Sequence, residues 1–416
     1  FLPKKTRGET VSMALTLRFG TGDTLKGKIG AVELLGILMT RGTDKLDYTE
    51  LQDELNRLRV ELSLNSTIGL LQVSLKTKRG SLPEAVALLG DVLRHPRLDG
   101  NELEVIRRQI ITSLQQSTTE PQSLAPRSVR QTLSPYAKDD VRYVMSVEEE
   151  IDLYSKVTVD EIRALHAGFL SNQAGEVSVV GDFDPEELEA LLNAQLSDWD
   201  TSEPYARVDR KAHPDVDPSL DIIETPDKAN AFFYSSQQYD LKDSDPEYAA
   251  LVLGNFILGG GSLSSRLGVR VRQQEGLSYG VRSGVSSRAK DNRVDFTLYA
   301  ITNPQNREKL IAVIREELDK IRKDGITQEE LDQAKVAYLQ AARVRRSNDS
   351  SLTSELLSTM FNDRTMAHYA EHDSQIEAAT KKNVNDAIKK YIDPEKLIMA
   401  IAGDFAAASK EKAEKN

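Results

Sequence analysis

Residues 176–184 read EVSVVGDFD, and residues 397–406 read LIMAIAGDFA. Each is an apolar run of strand length that ends in Gly-Asp-Phe, the pattern of a buried strand closed by a turn. Gly181 and Gly403 stand 222 positions apart. A short amphipathic helix precedes each copy, TVDEIRALHAGFL at 158–170 and NVNDAIKKYI at 383–392. Self-similarity at a fixed, long period points to two copies of one structural unit.

The order of elements repeats further upstream. An alternating strand (VSMALTLRFG, 11–20; NAFFYSSQQYD, 230–240) leads into an apolar helix (GAVELLGILMTRG, 30–42; PEYAALVLGNFILGGG, 246–261). Two more strand-like runs come after it, 60–66 and 70–78 in one half, 278–287 and 292–302 in the other. Helical stretches come next, 81–93 and 101–117 against 306–324 and 327–347. The segment 198–221 between the halves is polar and proline-bearing, as a linker is. The expected fold is α+β: two homologous domains, each a mixed, mainly antiparallel sheet packed against helices, with strand-helix-strand-strand order. The expected boundaries are 1–200 for the first domain, 201–222 for the linker and 223–416 for the second.

Composition narrows the function. The chain has 65 acidic and 54 basic side chains, a net charge of −11, and no basic tract with interleaved aromatics. That argues against a nucleic-acid surface and for protein or peptide partners. With no cysteine, disulfides, thiolate metal sites and a cysteine nucleophile are excluded together. No apolar run has the length of a membrane span. The opening FLPKKTRGET is neither an initiator methionine nor a signal peptide, and is expected to be a processed or truncated start.

The succession of elements resembles the pitrilysin/insulinase family of inverted-zincin zinc metallopeptidases across nearly the whole chain. The strongest match is GGGSLSSRLGVRVRQQEGLSYGV at 259–281, which is similar to the family's second-domain segment of glycines, Ser-Arg-Leu, a basic helix end and Gly-Leu-x-Tyr. In the first half, IGAVELLGILMTRGT (29–43) resembles the helix in which such enzymes carry H-x-x-E-H. Aligned on Gly42 and Thr43, the positions expected to hold His, Glu and His are Glu33, Gly36 and Ile37. Glycine and isoleucine neither ligate a metal nor move a proton, and Glu33 alone reads as a solvated helix residue. At the expected third ligand the chain offers Thr112 and Ser113. The resemblance therefore implies a half without a zinc site.

An H-x-x-E-H does occur elsewhere, as His368, Glu371 and His372 in TMAHYAEHDS (365–374). Positions i, i+3 and i+4 share a helix face, so two imidazoles could grip one metal. These residues fall in the wrong domain and on the wrong element, with only 44 residues after His372 to supply a third ligand. The motif is taken as a chance match on an exposed connecting helix.

The resemblance assigns the family's Arg-Tyr pair to Arg272 and Tyr279. Arg272 would sit in the last turn of a helix stopped by Gly276, and Tyr279 would begin the next strand. In the family these donors bind the substrate carbonyl and the oxyanion at the partner domain's zinc site. Ser265 and Arg266 are expected to anchor the loop, and Gly259, Gly260 and Gly261 to form a flexible turn rather than a phosphate loop. The function implied is that of a non-catalytic half of a bipartite zinc metalloendopeptidase, closing a chamber for unfolded peptides. Zinc would sit in a partner half bearing H-x-x-E-H, whether a separate subunit or part of a longer polypeptide. The alternative is an inert scaffolding protein with a peptidase fold. A periplasmic or exported location is expected from the resemblance, with the cytoplasm as the alternative.

Overall fold

The computed structural model describes residues 1–261 and 264–415. Its strands form two sheets of five. The first contains β1 (Leu2–Pro3), β2 (Thr10–Arg18), β3 (Glu61–Thr67), β4 (Leu70–Lys78) and β5 (Gly175–Gly181), in the order β1-β5-β2-β4-β3. The second contains β6 (Ser219–Glu224), β7 (Ala231–Asp240), β8 (Ser278–Arg288), β9 (Arg293–Thr302) and β10 (Ile398–Gly403), in the order β6-β10-β7-β9-β8. The two orders superpose element for element. Among the described residues, only β1 with β5 and β6 with β10 run parallel. The fold is thus the expected α+β arrangement of two mixed, mainly antiparallel sheets packed against helices.

The Gly-Asp-Phe repeat has a packing cause. A Cβ on Gly181, whose φ is +141°, would lie 2.3 Å from the Thr10 carbonyl oxygen, and one on Gly403 would lie 2.6 Å from the Ala231 Cβ. Each glycine lets a central strand pass hard against its neighbour. Phe183 and Phe405 then turn into their respective cores. Asp182 receives Arg79 at 2.7 Å and Lys5 at 3.1 Å, whereas Asp404 accepts from the amides of Ala407 and Asp227.

Helices Ile29–Met39, Leu82–Arg94 and Val159–Phe169 bury Leu34, Leu35, Leu89 and Ile162 beside Leu15 and Leu75. Helices Pro246–Asn255, Arg307–Asp324 and Lys381–Tyr391 do the same in the second half with Leu251, Ile314 and Ile388 beside Phe296.

Each half also lends one helix to the other. Pro121 starts a new helix after Gly100–Ser117, and this helix, Pro121–Thr132, lies on β7 and β10 of the second sheet. There Ala125, Val129 and Leu133 pack with Ile398, Ala400 and Ala402. Reciprocally, Asn348 ends helix Gln328–Ser347 and caps Asp349–Phe361 through the Ser351 amide at 3.0 Å. That helix lies on β2 and β5 of the first sheet, with Arg18 over the Phe361 ring at 4.0 Å.

The connecting segment is pinned to both halves. The Ala206 amide donates to the Gly20 carbonyl at 3.0 Å, Arg142 holds Asp209 at 2.6 Å, and the His213 amide donates to Gln238 Oε1 at 2.9 Å. Its last residues are drawn into the second sheet, because β6 begins at Ser219.

Candidate functional site

The first-half helix Ile29–Met39 presents Glu33, Gly36 and Ile37 in very different settings. Ile37 is exposed. Gly36 is buried, its amide donating to Ser66 Oγ at 2.8 Å. Glu33 is not solvated, which corrects the sequence reading: it is half-buried, accepts the Tyr154 hydroxyl at 2.5 Å, and burial pushes its carboxyl above the usual range. Tyr154 lies in helix Val147–Lys156, which no motif linked to residue 33. Thr112 and Ser113 point outward from helix Gly100–Ser117.

His368 and His372 also differ from expectation. Their helix, Ala367–Ala378, is not an exposed connection: both rings are half-buried on a polar cleft of about 270 Å³. Arg364 Nη1 lies 3.1 Å from His368 Nε2, and Arg364 grips Asp243 through both nitrogens at 2.7 and 2.8 Å. The Tyr338 hydroxyl lies 3.2 Å from His372 Nε2, and Tyr248 packs on the same ring. Glu371 faces solvent and forms no hydrogen bond to either imidazole among the described residues. Among the described residues, no three His, Cys, Asp or Glu side chains form a group able to hold a metal.

In the second half, the glycines are not a flexible turn. Helix Pro246–Asn255 continues into a π-helical turn, Phe256–Gly260, closed by the Gly261 amide on the Phe256 carbonyl at 2.8 Å. A Cβ on Gly259 would meet the Ser283 amide nitrogen at 2.9 Å, and one on Gly260 the Asn255 side chain at 2.6 Å, so both serve close packing. Ser262 and Leu263 of the family-like segment lie outside the described residues. Arg266 ties the next stretch of chain to the fold, donating to Glu330 at 2.7 and 2.9 Å and to the Gly325 carbonyl at 2.8 Å. Ser265 is buried beside it, its Oγ accepting from the Gly268 amide.

Arg272 belongs to a second π-helical segment, Gly268–Gln274, and Gly276 at φ +63° turns the chain out of it. The Arg272 side chain is exposed and forms no ion pair among the described residues. Tyr279 lies at the start of β8, the edge strand. There Ser278 pairs with Thr302 and Gly280 with Ile301, leaving Tyr279 as the extra residue of a β-bulge. The Ser278 hydroxyl donates to the Gly280 carbonyl at 2.9 Å and accepts from its amide at 3.1 Å, which pins the bulge. Tyr279 is 69% exposed, and a bulge is a device that re-aims the side chain it carries.

The family profile described as "Insulinase (Peptidase family M16)" matches residues 1–137, and that described as "Peptidase M16 inactive domain" matches residues 156–338. The chain belongs to peptidase family M16. Among curated relatives, the "Non-peptidase homolog YmxG" of Helicobacter pylori is 24% identical over 94% of this chain and 88% of its own length. The crystal structure of a peptidase M16 inactive domain from Pseudomonas fluorescens has a TM-score of 0.81 at 22% identity, covering 96% of this chain and 94% of that one. The periplasmic protease PqqL of Escherichia coli has a TM-score of 0.74 at 17% identity over 96% of this chain and 43% of that one. These structural likenesses concern the fold.

M16 peptidases imply zinc, and the first-half helix does not fit it. Gly36 has no side chain, Ile37 offers no donor atom, and Glu33 is committed to Tyr154. Arg272 and Tyr279 lie at the helix end and strand start that the sequence predicts, whereas the bulge has no counterpart in the sequence pattern beyond the Ser-Tyr-Gly at 278–280.

Proposed function

We propose that this M16 chain is the non-catalytic half of a bipartite zinc metalloendopeptidase. It closes a peptide chamber and supplies Arg272 and Tyr279 to a zinc site on an H-x-x-E-H-bearing partner half, as a heterodimer or as part of one longer polypeptide. The observation that carries the reading is an exposed, uncommitted Arg272 and a Tyr279 lifted out of the sheet by a pinned bulge, in a chain whose own zinc helix has no ligand set. A guanidinium and a phenol with no partner among the described residues suit an external carbonyl and its oxyanion, where fixed donors act with little reorganisation. The non-catalytic reading agrees with the name of the Helicobacter relative. A periplasmic location is proposed on the likeness to PqqL; no helix among the described residues is long and apolar enough to cross a membrane.

The test is peptide hydrolysis by the chain mixed with its H-x-x-E-H partner. Arg272→Ala and Tyr279→Phe are each expected to lower kcat by about 10²–10³ fold at unchanged melting temperature, the usual loss for one oxyanion donor. The name of that same relative also suits a second reading, an inert scaffold, and then both variants leave the partner's activity unchanged.

A further inference from the structure

A cavity of about 650 Å³ lies between the two halves. One wall is the polar face of the first sheet, with Asn65 and Gln72. The opposite wall is the lent helix Asp349–Phe361, and the connecting segment borders one end through Arg207 and Arg210. Five cationic side chains reach this space, Arg18, Lys76, Arg207, Arg210 and Arg288, against one acid, Asp291. That is a local excess of positive charge in a chain whose net charge is −11.

Three of the five have partners. Arg18 is paired with Glu176, Arg207 with Asp291, and Lys76 lies 3.8 Å from Glu61. Arg210 and Arg288 form no ion pair or side-chain hydrogen bond among the described residues. Arg210 is half-buried, and burial together with its neighbours Arg288 and Arg293 works against its charge, outweighing the support of Tyr136 and Asp291. Arg293 is itself held by Asp295 at 2.7 Å, so its acid is already committed. A guanidinium taken partly out of water beside another guanidinium loses hydration and gains little attraction in return. An incoming carboxylate would reverse that balance, since it accepts two parallel N–H bonds from the planar fork.

We propose that Arg210 and Arg288 form a binding site for the carboxylates of an acidic peptide segment lying in this cavity. Choosing a peptide over a small anion rests on the peptide-chamber reading above; the anion site itself does not. The amides of Asn65 and Gln72 supply the neutral donors and acceptors that such a backbone needs along the wall.

The experiment is fluorescence anisotropy of the isolated full chain with fluorescein-labelled pentaglutamate, pentalysine and glycine-serine peptides. Pentaglutamate is expected to bind at least roughly tenfold more tightly than either control, with affinity falling as salt rises. Arg210→Gln with Arg288→Gln should remove that preference while the melting temperature holds or rises, because an unpaired charge is lost. Arg210→Lys should retain part of it. Equal binding of the three peptides, an unaffected double variant, or binding of inorganic phosphate without pentaglutamate would each overturn the assignment. No catalytic partner is present in this assay, so its outcome is independent of whether Arg272 and Tyr279 serve a zinc site.

Discussion

Ser66 sits inside a turn of the helix it faces. Its Oγ accepts from the Gly36 amide at 2.8 Å and donates to the Val32 carbonyl, the two backbone groups that close one helical turn. β3 is therefore wedged against the helix at the very position where the resemblance would place a general base.

Restoring the metal motif should fail for steric reasons. A Cβ at residue 36 would lie 2.9 Å from the Ser66 amide nitrogen, and backbone cannot yield as a side-chain tip can. Gly36→Ala is expected to cost about 1–3 kcal/mol in denaturant unfolding, the usual range for overpacking. The triple variant Glu33→His, Gly36→Glu, Ile37→His should hold no stoichiometric zinc by elemental analysis after dialysis. Tight zinc in that protein would show that β3 can be displaced.

Glu33 should make stability depend on pH in the direction opposite to most carboxylates. Burial, opposed by the Tyr154 hydroxyl and reinforced by Glu150, raises its pKa above the ordinary 4.5. The folded protein thus holds this proton more tightly than the unfolded chain does. The corresponding stability is full below about pH 4.5 and is lost as pH rises through the folded value. Glu33→Gln should consequently be more stable than the parent at neutral pH, with the two converging in acid; urea midpoints at both pH values read this directly.

The two histidines of the cleft should act the other way. Burial lowers the pKa of both His368 and His372 below 6.5. Their neutral forms favour the folded state, so stability is present above about pH 6.5 and is lost as pH falls through the folded values. His372→Gln keeps a partner for the Tyr338 hydroxyl without titrating. Between about pH 7.5 and about pH 5.5 its melting temperature should fall less than the parent's; an equal fall would remove His372 from the acid response.

The lent helices should make the two halves unfold together. Ala125 is fully buried against residues of the second sheet. Enlarging it in Ala125→Leu is expected to cost about 1–3 kcal/mol. The loss should appear in a single calorimetric transition covering both halves. Two separate transitions in the parent protein would mean that the exchanged packing does not couple them.

Much of the fold was legible because its central elements are locally coded. LIMAIAGDFA and EVSVVGDFD are apolar beyond any surface use, and LLQVSLKTK alternates so regularly that β4 coincides with it. The lent helices were not legible in this way. Ala125 and Val129 look like an ordinary amphipathic stripe, and only the tertiary fold says which sheet they cover. The same holds at the site. Arg272 and Tyr279, the residues proposed to act, stand out by pattern, but Tyr279's place in a bulge depends on pairing with β9, and Glu33's hydrogen bond comes from Tyr154, 121 residues away.

Because each half is roofed by a helix of the other, the covalent link between them is not what keeps them together. A protease cut within residues 201–218 should leave two fragments that still migrate as one particle. Either half produced alone would lack its roof, leaving the Ile398, Ala400 and Ala402 face bare in one case and the polar face of the first sheet in the other. Fragment complementation, with both pieces expressed in the same cell, is then the practical way to build this protein from parts.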